Sequence, residues 1–347
     1  MTFDAQIKQI RERLVGSERP LFLFDDDPDG LAAFLLLYRM VRAGKGMPLK
    51  GAQLDERFAK RVNEYQPDVV VILDKPEVDQ EFINAINVDI IWIDHHEPQK
   101  VTGVTYLNPR KESPSNNLPT SLLAYRIAEQ DSWIAVVGIV SDWQLPPVDI
   151  WNDALEVFPE LLAKDISDAP TALHNSPAGT LARIFSFNLK GRINDVLTAM
   201  KILTRIKEPQ ELLEKKHAQA RLVMKRFEQL NEQYEEIKKE VKIDDKDPLI
   251  LFTYSEERNS FTPDLSNELL SKYPEKLIII GRKSNGSYKC SLRSSKLMVE
   301  EILSRVLVHT GGTGGGHEHA CGAVIPEEVF EEFVNLMRKE AETALKG

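Results

Sequence analysis

Cysteine is nearly absent. Cys290 and Cys321 are the two in 347 residues, too few for a disulfide framework and wrongly spaced for a zinc cluster, which fits a reducing cytoplasm. Both are expected as small buried residues. No apolar run approaches the roughly 18 to 20 residues that a membrane span needs, so no membrane partner is expected. The opening residues, MTFDAQIKQIRERL, lack an apolar stretch and a small-residue cleavage site and read as an amphipathic helix, not a secretory signal. Neither a Gly-x-Ser-x-Gly elbow nor a G-x-x-x-x-G-K-[ST] phosphate loop occurs, which argues against serine acyl transfer and kinase-type chemistry. Internal repeats and low-complexity tracts are missing too. Positive charge is in deficit, with 44 Lys and Arg against 54 Asp and Glu and a formal net charge of −10. Bulk electrostatics therefore cannot hold nucleic acid across the whole surface, and any such contact has to be local. Where the acids cluster, bound divalent cations would reverse the local sign.

What is present is the grammar of an α/β protein long enough for two domains. PLFLFD at 20 to 25, VVVILD at 69 to 74 and DIIWID at 89 to 94 are short, unalternated runs separated by helical segments. Such runs predict a parallel sheet covered on both faces, with ligands outside the carboxyl ends of its strands. All three end in Asp at that edge. From about 119 to 142 the chain reads as helical, with further helices to about 200. Residues 209 to 242 read as one long amphipathic helix, ending at the polar turn IDDKDP. Beyond it PLILFTY, KLIIIGRK and SYKCSLRS predict three strands, KLMVEEILSRVL a helix, 311 to 317 a glycine-rich loop leading into a helix start, and 326 to 345 a terminal helix.

Chemistry concentrates at the acidic strand ends. In Asp25-Asp26-Asp27-Pro28-Asp29-Gly30, alternate residues can point one way, so Asp25, Asp27 and Asp29 can converge. Carboxylates so gathered stay protonated unless a cation neutralises them, and a hard divalent ion is the economical answer. Taken alone, the turn reads equally as a solvated helix cap, Asp74 as a helix cap and Asp142 as a surface acid. Asp94-His95-His96 is harder to dismiss, because the chain has seven His and two adjacent ones follow a buried strand. Imidazole with carboxylate suits Mn or Zn better than Ca. Near the other end, Gly311 to Gly316 carry no bulky side chain, which lets backbone N–H groups approach an anion at Gly314, Gly315 and Gly316. His317 can add a donor, and Arg293 a bidentate phosphate contact.

The order D-x-D-G, Asp, D-H-H, Asp resembles the four motifs of the DHH phosphoesterase superfamily over roughly the first 150 residues. S-L-R-S at 291 to 294 and G-G-G-H-E-H-A-C-G at 314 to 322 resemble the DHH-associated domain of its RecJ-like, oligonucleotide-hydrolysing branch. The resemblance implies a DHH domain over 1–165 with the metal site, a helical connector over 166–243, and a smaller nucleic-acid-binding α/β domain over 244–347. It implies Asp27 and Asp74 on one ion and Asp29, Asp74, His95 and Asp142 on a second, with Asp74 bridging and His96 facing the substrate phosphate beside Asp94. Asp25 stands where relatives commonly carry His and remains a competent Mn ligand. Two divalent ions are expected, Mn2+ favoured and Mg2+ the alternative. The activity implied is hydrolysis of single-stranded DNA or RNA from an end, in the cytoplasm, with replisome proteins as further partners. Short-oligonucleotide, cyclic-dinucleotide or phosphoadenosine phosphate hydrolysis, and a replication scaffold that has lost catalysis, are the rival readings.

Overall fold

The computed structural model describes residues 2–51, 53–162, 166–255, 257 and 259–346, with the side chains of residues 317, 345 and 346 outside that set. The chain forms two compact units, Met1–Phe227 and Glu228–Gly347. The expected boundary at 165 lies outside the described residues.

The first unit runs α1 (Phe3–Val15), β1 (Pro20–Asp25), α2 (Pro28–Val41), β2 (Lys45–Leu49), α3 (Glu56–Tyr65), β3 (Val69–Leu73), α4 (Gln80–Ala85), β4 (Asp89–Ile93), β5 (Thr105–Leu107), α5 (Thr120–Ala128), α6 (Ser132–Ser141), α7 (Val148–Val157), α8 (Ala169–Asn175), α9 (Pro177–Asn188), α10 (Ile193–Leu203) and α11 (Pro209–Leu213). Its sheet has the order β2-β1-β3-β4-β5, with every neighbour parallel. The predicted runs become β1, β3 and β4 because Val, Ile and Leu fill both faces. One face packs Leu21, Leu23, Val70, Ile72 and Trp92 against Phe82 and Val62. The opposite face carries Phe22 and Phe24, the latter stacked on Phe34 of α2 at 4.9 Å. From β1 the chain passes to one side to form β2, then returns to the other to form β3. The β1/β3 boundary is thus a topological switch point, where ligands enter such sheets.

The stretch expected as one helix from 119 to 142 is two, since Glu129 and Asp131 take left-handed conformations between α5 and α6. Likewise α11 ends at Leu213 and α12 (Ala218–Glu240) starts afresh after Lys215, which has φ 54°. The long amphipathic helix therefore begins nine residues later than the periodicity suggested. The division between the two units falls within α12.

The second unit continues with β6 (Leu249–Tyr254), α13 (Thr262–Lys272), β7 (Leu277–Ser284), β8 (Ser287–Arg293), α14 (Val299–Thr310), β9 (Thr313–His317), β10 (Ala320–Pro326) and α15 (Phe330–Lys346). Its sheet order is β6-β7-β8-β10-β9, parallel at β6/β7 and antiparallel elsewhere. The glycine-rich segment is the edge strand β9, not a loop, and no helix starts after it. Residues 320–326 alternate between buried Cys321, Ala323 and Ile325 and the more exposed Gly322 and Val324. That period of two makes a strand. Cys290 and Cys321 are buried, free thiols in this core, as expected.

Candidate metal centre

Each acidic side chain reaches the β1/β3 edge for a local reason. Asp26 alone separates β1 from Asp27, the N-cap of α2, whose carboxylate accepts from Gly30 N at 2.8 Å. Gly30 is required there: a Cβ would sit 2.6 Å from the Asp25 carbonyl oxygen. Asp29, in the first turn of α2, is buried and caps another helix. α5 has Pro119 at its N-cap and no side-chain cap of its own. Asp29 instead accepts from Thr120 N at 2.8 Å, from Ser121 N at 3.1 Å and from the Ser121 hydroxyl, so a carboxylate meets the positive end of α5. The Thr120 hydroxyl donates to Asp74 Oδ1 at 3.0 Å, which ties Asp29 and Asp74 to one helix start.

Asp74 follows β3 with φ 56°, a conformation that costs a non-glycine residue about 1 kcal/mol or more. Its N–H donates to Ile93 O at 3.0 Å, and the turn sends its side chain to His95, whose Nε2 lies 3.4 Å from Asp74 Oδ1. His95 Nδ1 donates to Asn117 Oδ1 at 2.7 Å and lies 3.7 Å from Asp142 Oδ2. Asn117 thereby leaves Nε2 as the ligating nitrogen, aimed at Asp74. Gln144 donates to Asn117 O at 2.7 Å and to Asp142 Oδ2 at 3.3 Å, fixing both neighbours of the imidazole. Asp142 is the C-cap of α6. That helix is buried nearly throughout and packs so closely that a Cβ on Gly138 would meet the Ser121 side chain at 2.5 Å.

Asp94 is fully buried. It accepts from Tyr106 at 3.3 Å, from Asn108 at 3.2 Å and from His96 N at 3.1 Å, and it pairs with His96 Nδ1 at 2.7 Å. Its part is to hold the His96 ring, which stands 4.5 Å from the His95 ring. Asp74, His95 and His96 offer ligand atoms within 4.8 Å of one another.

The protonation pattern is that of a cluster short of cations. Burial pushes Asp25 up to about 6, with Lys75 opposing and Asp74 and Asp26 adding to the rise. Asp27 stands at the exposed rim with protein packed on its inner side; lost hydration raises it well above the usual carboxylate range, and Asp74, Asp25 and Asp29 raise it further. Burial and then Asp74 and Asp142 raise Asp29 strongly. Burial lifts Asp142 to about 6 against the pull of His95. Burial would raise Asp74 too, but the His95 hydrogen bond and charge prevail and hold it at about 2. Burial lowers His95 and His96, yet Asp74 and Asp142 carry His95 well above its ordinary value, and Asp94 carries His96 up. Carboxylates and an imidazole gathered with so little positive charge among them are a donor set suited to divalent Mn or Mg.

All six predicted metal ligands thus meet at this edge. Sequence reasoning missed their supports, Asn117, Thr120, Ser121, Tyr106 and Asn108, which follow no motif. It also missed Lys75, 3.3 Å from Asp25, and Lys50 and Lys190, whose charges act on Asp26.

In the second unit Arg293 does not offer the bidentate fork expected of it. Its Nε donates to Asn267 Oδ1 at 2.8 Å and its Nη1 to Leu292 O at 2.8 Å and Cys321 O at 3.1 Å, so it ties β8 to β10 and α13. Gly314, Gly315 and Gly316 lie on β9 opposite Ala323, Gly322 and Cys321, and a Cβ at Gly315 would meet open space. The His317 side chain lies outside the described residues.

A model of the DHH family N-terminal domain matches residues 21–142, and one of the DHHA1 domain matches residues 250–343. No curated protein matches the chain. Among solved structures, RecJ in complex with Mn2+ from Thermus thermophilus is similar over 99% of this chain, with 16% identity and a TM-score of 0.73. The chain spans 55% of that protein, about half its length. The pGpG-specific phosphodiesterase PggH from Vibrio cholerae is similar over 94% of this chain and 100% of its own, with 15% identity and a TM-score of 0.52. CDC45 from Entamoeba histolytica covers 98% of each chain at 9% identity and a TM-score of 0.50. At these identities the likeness is one of fold.

Proposed function

Since the chain belongs to the DHH superfamily, with a DHH domain followed by a DHHA1 domain in the RecJ-like arrangement, we propose that it is a divalent-metal-dependent phosphodiesterase that removes nucleotides from an end of single-stranded DNA or RNA. The observation that carries this reading is the convergence of Asp29, Asp74, His95 and Asp142 at the β1/β3 switch point, each held by bonds that leave carboxylate lone pairs and an imidazole nitrogen for an ion. Asp27 and Asp74 would hold one ion, with Asp25 beside them, and Asp29, Asp74, His95 and Asp142 the other.

Bound divalent ions supply Lewis acidity toward a phosphate and acidify water at the centre. The chain's own residues do the rest. Asp74, held anionic by His95, keeps its charge at neutral pH and can face both ion positions. His95 must give up its proton to ligate, and Asn117 keeps the ring oriented while it does. His96, kept protonated by Asp94, can donate to a phosphate oxygen and share its developing negative charge. No protein nucleophile is needed. Gly314, Gly315 and Gly316 offer an edge strand that a sugar-phosphate backbone can approach closely, with His317 at its end. Arg293 acts there by fixing the edge.

The likeness to PggH over that protein's full length favours a second reading, hydrolysis of very short oligonucleotides. End-labelled single strands of DNA and RNA, digested with Mn2+ or Mg2+ and resolved by length, distinguish the two: a ladder from long strands supports the exonuclease, and cleavage confined to strands of a few nucleotides supports the second reading. Binding without cleavage at any length would mark a scaffold, and replisome proteins would then be the partners to test.

A further inference from the structure

The two ends of the acidic cluster carry different kinds of cation. At the Asp29 and Asp142 end it is His95, which can lose its proton and become a ligand. At the Asp25 end it is Lys75. The Lys75 ammonium donates to Asp25 Oδ1 at 3.3 Å, its side chain is 13% exposed, and its charge also acts on Asp26. Its backbone is fixed: Lys75 O accepts from Trp92 Nε1 at 3.0 Å, and Trp92 is fully buried and stacked on Tyr106 at 4.0 Å. Lys75 directly follows Asp74, whose left-handed conformation turns the chain. An ammonium has three donors and no acceptor, so at neutral pH Lys75 cannot ligate a metal; it competes with one for Asp25.

We propose that Lys75 is a built-in counter-cation at the Asp25 and Asp27 end, so that the centre loads unequally: one divalent ion binds tightly at Asp29, Asp74, His95 and Asp142, and a second binds only as the Lys75–Asp25 pair opens. This rests on the metal-centre reading above. The physical contrast is in what each ion displaces. The first exchanges for a proton on His95, which leaves to solvent. The second must move an ammonium tethered to the chain, and while that ammonium stays it repels the incoming charge at short range.

Mn2+ titration of the metal-free full chain by calorimetry, with electron paramagnetic resonance to detect paired ions, tests this. Wild type should bind one ion tightly and a second at least about tenfold more weakly. Lys75→Met should tighten the second step by about ten- to hundredfold, the scale of one nearby charge, while changing the first by less than about threefold. Lys75→Arg, which keeps the cation, should behave as wild type. Lys75→Gln repeats the test should the Met variant fold poorly. Two equal, tight steps in wild type, or a second step unmoved in the neutral variants, would overturn the proposal. Failure of wild type to bind any Mn2+ would instead overturn the metal-centre reading itself, and this inference with it.

Discussion

Asp94 shows how much of the site lies one bond behind the ligands. It is fully buried and reaches the reaction only through His96. Asp94→Asn keeps the shape but puts an amide where a carboxylate accepted three donors and paired His96. Turnover should fall by about 10- to 100-fold, the usual effect of such supporting partners, with Mn2+ affinity by calorimetry changing far less. A comparable loss of Mn2+ affinity would make Asp94 a ligand. His95→Ala removes a ligand directly and leaves Asp74 and Asp142 facing each other. It should lower both metal affinity and turnover far more than strand binding measured by fluorescence anisotropy; equal losses would point to a structural histidine. The ligands were legible in the sequence because each is an acid or imidazole at the end of an apolar run. Asn117, Thr120 and Lys75 were not, because an amide, a hydroxyl and an ammonium in loops or at a helix start mean nothing until the fold brings them to Asp29, Asp74 and Asp25.

At the scale of the element, the site depends on close starts of helices. α2 begins so near β1 that Gly30 has no room for a side chain: a Cβ would stand 2.6 Å from Asp25 O, a backbone atom that cannot swing away. Gly30→Ala should therefore push α2 outward, carry Asp27 and Asp29 with it, and cost about 1–3 kcal/mol of stability together with a measurable loss of Mn2+ affinity. An alanine variant with wild-type unfolding midpoint and affinity would show that the helix start is not fixed by that contact. The central strands were readable because β1, β3 and β4 are unbroken apolar runs. β2, Lys45–Leu49, was not: KGMPL carries Gly and Pro and looks like a turn, and it is a strand only because it pairs along β1 at the sheet edge. β9 was hidden for the same reason, its glycines being held in a strand by β10. Helix ends failed where a residue such as Glu129, Asp131 or Lys215 takes a left-handed turn that no local pattern announces.

For the whole molecule, the acidic cluster should tie stability to pH and to metal. Asp25 and Asp142 sit at about 6 when folded, against about 3.9 unfolded, and Asp27 and Asp29 are raised as well. The folded chain therefore holds more protons between those values, and stability falls as pH rises through them. His95 and His96, also raised, contribute stability that is full below about 6.5 and lost as pH climbs through their folded values, so they act in the same direction. Asp74, lowered to about 2, contributes above about 3.9 and loses that only in strong acid. The metal-free protein should thus melt at lower temperature near pH 8 than near pH 5.5, and Mn2+ should restore more at pH 8, where the ligands no longer hold protons. Equal melting temperatures at both pH values in chelator would contradict the account of the cluster.

The central claim, that this cluster is a metal centre hydrolysing phosphodiesters in single strands, is tested most directly by one assay. An end-labelled single strand is incubated with the wild-type chain in chelator, in Mn2+ and in Mg2+, alongside Asp74→Asn. The account predicts no cleavage in chelator, cleavage restored best by Mn2+, and at least about a thousandfold loss in Asp74→Asn, since that carboxylate serves both ion positions. Undiminished cleavage in chelator, or an Asp74→Asn chain as active as wild type, would contradict it.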